Sequence, residues 1–122
     1  MPATILPETI AHQDGVGGFL ALESSRSPWL LTLNISRILA QESLEVTVSG
    51  SPDNEHWLPL TRFPRKFYCG TYAQWLYLTD HPGVRYLRAE WTMNRWGQPD
   101  GEVLCAFSLL AEPGKVLHAG AA

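Results

Sequence analysis

The side chains best suited to meet a ligand or partner are aromatic rings and arginines in residues 75–96: Trp75, Tyr77, Tyr86, Arg88, Arg95 and Trp96. Indole and phenol faces stack on sugars and on guanidinium groups, and arginine adds a planar fork of donors. Tyr86 and Arg88 are two apart, so in an extended segment they share a face, opposite Leu87 and Trp91. Arg95-Trp96 closes the same run just before a turn, which leaves the indole free to bind. Tyr86, Arg88, Arg95 and Trp96 are therefore the candidate ligand or interface residues. The competing structural role has Trp96 packed under its own turn, with Tyr86 and Arg88 covering the rim of a core.

Other chemistries find less support. His12, His56, His81 and His118 stand at unrelated separations, and Asp14, Asp53, Asp80 and Asp100 sit in turns, so no metal site is expected. Cys69 has Arg65 and Lys66 nearby, and cations favour thiolate. Both Cys69 and Cys105 nevertheless lie among apolar residues, which predicts buried free thiols and not a disulfide. Glu45 and Glu90 alternate with apolar neighbours and point outward into solvent, which makes them poor partners for acid–base work. Asp14-Gly15-Val16-Gly17-Gly18 matches neither phosphate-loop pattern and reads as a flexible loop before a strand at Phe19. Asn34-Ile35-Ser36 is a formal glycosylation sequon lying in the middle of a strand. No catalytic residue, metal or cofactor is expected.

The elements that must position these residues are strands. Leu31, Leu33 and Ile35 alternate with Thr32, Asn34 and Ser36, and Leu44, Val46 and Val48 with Glu45, Thr47 and Ser49. Leu87, Ala89, Trp91 and Met93 alternate with Arg88, Glu90, Thr92 and Asn94, and Val103, Cys105, Phe107 and Leu109 share a face. Turn clusters at Gly50–Glu55, Asp80–Gly83 and Gln98–Gly101 separate the runs. Strands are expected near 3–6, 18–23, 29–37, 43–49, 57–62, 67–78 (broken near Gly70), 84–94 and 103–111, the last three runs forming a meander. Only Ile38 to Ser43 looks mildly helical. The fold expected is an all-β antiparallel sandwich or jelly roll of about eight strands, with a closed β-barrel as the alternative. With 122 residues, 45% of them hydrophobic and 17% charged, the chain makes one core. It reads as a single domain, 1–112, with a flexible tail, 113–122.

Charge is unevenly spread. Residues 57–98 hold six basic residues against two acidic ones, and the remainder three against ten, for a net −3. A net acidic chain is a poor match to phosphate backbones, so no nucleic-acid partner is expected. No apolar run reaches the roughly 20 residues of a membrane span, and no signal peptide is visible. No membrane partner and a cytoplasmic location are therefore expected.

The stretch Leu44–Trp57, with Ser51-Pro52-Asp53-Asn54 leading to Trp57, resembles the strand–turn–strand of discoidin-like β-sandwiches. There the tryptophan enters the core behind the turn and a glycine stands where this chain has Asn54. Val84-Arg85-Tyr86-Leu87-Arg88 is similar to a following strand of such domains. The resemblance implies a sandwich, and carbohydrate as the leading ligand. Leu30–Leu33, Arg37–Leu44, Phe63–Tyr72 and Asn94–Gly97 resemble a group of small bacterial one-domain proteins from which no activity transfers. Aromatic supply and opposed local charges favour a non-enzymatic self-assembling or protein-interaction domain, with a homo-oligomer or protein partner. A small carbohydrate-binding module is the alternative.

Overall fold

The computed structural model describes residues 3–22, 28–96 and 103–113. Eight strands follow one another: β1 (Ala3–Ala11), β2 (Gly15–Ala21), β3 (Trp29–Ile38), β4 (Glu42–Ser51), β5 (Leu58–Lys66), β6 (Gly70–Leu76), β7 (Tyr86–Arg95) and β8 (Cys105–Pro113). A single 3-10 turn, Leu78–Asp80, lies between β6 and β7. The strands form two antiparallel sheets, ordered β1-β8-β3-β6 and β2-β7-β4-β5, with no closed barrel. Strand β1 pairs with β8, β2 with β7, β3 with β6 and β4 with β5. That pattern is one long antiparallel ribbon folded at the β4–β5 turn and wrapped on itself, the winding of a jelly roll. At the two sides of the sandwich β1 lies against β2 and β5 against β6.

The core is the inward half of each alternation. Leu31, Leu33 and Ile35 of β3, Phe107 and Leu109 of β8, Leu44, Val46 and Val48 of β4, and Leu87 and Ala89 of β7 are all buried. The two sheets meet through these rows, as aligned sandwiches do. Trp91 closes one end, its ring edge-on to Phe107 at 5.3 Å and its Nε1 donating to the Gln13 carbonyl at 3.0 Å.

Several expectations are corrected. The glycine-rich segment 14–18 is not a loop, because β2 already begins at Gly15. A Cβ on Gly15 would stand 2.6 Å from the Trp91 ring, and one on Gly17 2.6 Å from Leu6, so the glycines serve close packing of an edge strand. Residues 38–43 are not helical. They belong to two strand ends joined by a tight turn with Gln41 at φ 58°. The expected meander is absent, since β6, β7 and β8 fall alternately in the two sheets. Turn residues do not report which sheet the next strand joins. The Asp80–Gly83 turn thus carries the chain across the sandwich instead of closing a hairpin. The turn 98–101 and the tail 114–122 lie outside the described residues.

Candidate functional site

Strand β7 separates the expected site residues into two places. Tyr86 and Arg95 are its first and last residues, nine steps or about 30 Å apart. They do not form one site.

At the first end, Tyr86, Arg88 and Glu90 face outward, as their spacing predicts. The Phe19 ring meets Tyr86 edge-on at 5.5 Å, and the Arg88 guanidinium lies 4.2 Å above the Trp57 ring. Arg88 Nε also contacts Glu90 Oε2 at 3.2 Å, and two strands away Arg62 Nη1 meets Glu45 Oε1 at 3.5 Å. Trp57 is therefore not the core residue implied by the discoidin-like resemblance. Its half-buried ring lies on the outer face beneath the Arg88 guanidinium. One indole face is thus occupied by arginine, which competes with a stacking sugar.

At the other end, Trp96 N–H donates to the Gln41 carbonyl at 2.9 Å and Arg95 Nε to the Ala40 carbonyl at 3.3 Å. These bonds dock the end of β7 onto the β3–β4 turn. Phe67 lies edge-on to Trp96 at 5.8 Å. Between them opens a cleft of about 520 Å³, bordered by Ile38, Leu39, Phe67, Tyr68, Cys69 and Trp96. Cys69 is exposed here, not buried. The reason is that β6 starts only at Gly70, so residues 67–69 form the crossing from one sheet to the other.

Glu42 also borders this cleft and is only 1% exposed. Its Oε1 accepts the Leu39 N–H at 3.2 Å and the Cys105 thiol at 3.0 Å, and its Oε2 the Leu104 N–H at 2.9 Å. Burial, and then the adjacent Glu42, pushes the Cys105 thiol far above the ordinary range. Such a thiol is inert. Sequence reasoning passed over Glu42, although its position matches the inward phase of Leu44, Val46 and Val48.

The β4–β5 turn is held by Asp53, whose Oδ1 accepts the N–H groups of Glu55 and His56, both at 2.9 Å. Those bonds, with the His56 ring 2.6 Å away, hold its carboxyl well below the usual range. Asn54 takes φ 64°, the left-handed conformation that its short polar side chain tolerates. Asp53, Glu55 and His56 have ligand atoms within 4.8 Å of one another, but their mutual bonds account for this arrangement as a turn.

The outer face of β1-β8-β3-β6 was not singled out by motif. Register aligns Thr4, Leu110, Thr32 and Ala73 in one row, and Ser108, Asn34 and Thr71 in the next. Glu112, Leu30 and Trp75 form a flanking row, and Ile10, Ala106 and Arg37 the opposite one. The two inner rows are uncharged. Leu110, Trp75 and Ile10 are 37%, 44% and 60% exposed.

Comparison of the chain with family models, with curated proteins and with solved structures finds no match. Among the described residues no helix is long and apolar enough to cross a membrane.

Proposed function

We propose that the chain is a non-enzymatic interaction domain that assembles with copies of itself. The observation that carries this reading is the outer face of β1-β8-β3-β6, whose inner rows hold only Thr, Ser, Asn, Ala and Leu. Interface centres are depleted in charge and enriched in large apolar side chains, and Trp75 and Leu110 supply the latter. Apart from Cys69, which is exposed at the cleft, the groups singled out for chemistry are engaged in the fold. Glu42 accepts from three donors, Cys105 is buried, and Asp53 holds a turn.

Light scattering after size exclusion tests the reading, at low and high salt. The expected mass is a multiple of 13.6 kDa, returning to 13.6 kDa in Thr32→Lys, which puts a charge in the central row. A wild-type monomer at both salts would overturn it.

The 520 Å³ cleft favours a second reading, a small ligand-binding module with carbohydrate as the leading ligand. Trp96 and Tyr68 are exposed at its rim and offer ring faces to a sugar. Titration with mono- and oligosaccharides would change tryptophan emission, and Trp96→Ala would abolish the change. Unchanged emission throughout the series would remove this reading.

A further inference from the structure

Three exposed aromatic rings gather at one end of the sandwich. Phe67 and Tyr68 lie in the crossing between β5 and β6, outside either sheet, and Trp96 follows the last residue of β7. The Phe67 and Trp96 rings meet at 5.8 Å with their planes 77° apart, which makes a corner, and Tyr68 borders the same cleft of about 520 Å³. The facing wall is the β3–β4 turn, tied to Trp96 by the N–H bond to the Gln41 carbonyl at 2.9 Å. Turn and indole are thus fixed together, and the cleft is preformed. Its volume is that of a small-molecule site.

Charge narrows what such a cleft would take. Among the described residues that border it, Glu42 alone is charged. Its three donors, the Leu39 and Leu104 N–H groups and the Cys105 thiol, are all neutral, and no cation among the described residues pairs with it. The bond from Leu39 N–H to Oε1 places the carboxylate directly behind the turn that walls the cleft. A buried carboxylate is screened far less than a surface charge, so its field reaches into an apolar space. Four bases stand close along the chain, and none borders the cleft. Arg37 and Arg65 are exposed to water, Lys66 lies 4.5 Å over the Tyr72 ring, and Arg95 Nε donates to the Ala40 carbonyl.

We infer that the cleft holds the trimethylammonium end of a small cationic molecule against the rings of Phe67, Tyr68 and Trp96. The inference rests on the reading of the cleft as a ligand site and assigns it a cation in place of a sugar. Ring faces carry negative potential and attract cations most strongly where water is excluded. Methylation matters for the same reason. A primary ammonium brings three N–H donors that an apolar lining leaves unsatisfied, whereas a trimethylammonium carries its charge with no donor to desolvate. The Glu42 carboxylate then supplies the opposite charge from behind the turn, without direct contact.

Calorimetric titration at constant ionic strength tests this with four probes: choline, the neutral alcohol with carbon in place of its nitrogen, ethanolamine and glucose. Choline is expected to bind about tenfold or more tightly than its neutral isostere, and more tightly than ethanolamine. Phe67→Leu and Trp96→Leu keep apolar bulk and remove a ring face. Each is expected to reduce the preference for choline by about threefold or more, with an unchanged urea midpoint showing that the variant folds. Equal affinity of wild type for choline and the neutral alcohol overturns the inference and leaves an apolar ligand site. Ethanolamine binding as tightly as choline overturns the methylated assignment. A preference that both variants retain places binding outside the cleft and overturns it as well. Glucose binding without choline binding overturns it and keeps the carbohydrate reading. Absence of binding by all four probes overturns the inference together with the ligand-site reading on which it rests.

Discussion

The two outer faces of this sandwich arise from the same period-two alternation and end with opposite characters. On β2-β7-β4-β5 the central positions are Arg88, Glu90, Glu45 and Arg62, joined in two ion pairs, with Trp57 under the arginine. On β1-β8-β3-β6 the equivalent positions are Thr4, Leu110, Thr32 and Ala73. Alternation only requires that outward residues tolerate water, which both sets do. The difference lies in what removing that water would cost. Desolvating the first face strands charges whose pairing in water is worth little. Burying the second face removes hydroxyls and apolar groups from water and no formal charge from its two inner rows. One face is thus suited to stay wet and the other to meet a partner.

The largest effect should come from Glu42, which serves both faces by joining the β3–β4 turn to the start of β8. Glu42→Ala leaves three donors unpartnered in a buried place and is expected to cost about 3 kcal/mol in urea unfolding. In wild type, Cys69 should react with a maleimide at once and Cys105 only through global opening, more slowly by about a thousandfold or more. In Glu42→Ala that ratio should shrink. Equal rates in wild type would show that the buried end is open.

Arg88→Ala removes the stack on Trp57 and the pair with Glu90, both half-buried, and should cost about 1 kcal/mol with a change in tryptophan emission. The mass in solution should not change. Thr32→Lys, on the opposite face, should do the reverse, altering stability by less than about 0.5 kcal/mol while abolishing association. If Arg88→Ala dissociated the assembly and Thr32→Lys did not, the two faces would have to exchange roles.

The smallest effects are those of pH, and they again separate the sheets. Asp53 has a depressed carboxyl and belongs to the turn of the charged sheet. Its contribution is present above the ordinary carboxyl value and is lost as pH falls from about 4 downward. Cys105 has a raised thiol and belongs to β8 of the other sheet. Its contribution is complete below the ordinary thiol value and declines above about pH 8.5, where the unfolded thiol ionises and the folded one does not. Unfolding titrations of Asp53→Asn and Cys105→Ala should each remove one limb. Retention of the acid limb in Asp53→Asn would assign it to other carboxylates.

Much of the architecture was legible in the chain. Strand number, the inward rows of β3, β4, β7 and β8, and the outward placement of Tyr86 and Arg88 all follow from alternation, which is local. Asn54 in the left-handed region follows from its turn. The end cleft was not legible, because its walls come from the β3–β4 turn, the β5–β6 crossing and the last residues of β7. No spacing in the chain announces that these three meet. Cys69 was misplaced for a related reason. An apolar neighbourhood along the chain does not distinguish a strand from a crossing between sheets.

The sequence by itself therefore determined the all-β class, the alternating faces and the uneven distribution of charge, since each depends on neighbours a few residues apart. Only the tertiary structure decided which strands pair and which outer face keeps charge out of its two inner rows. Those outcomes depend on how a ribbon closed at the β4–β5 turn wraps around its core. Wrapping is set by the burial of inward rows from all eight strands together, and no single segment contains it.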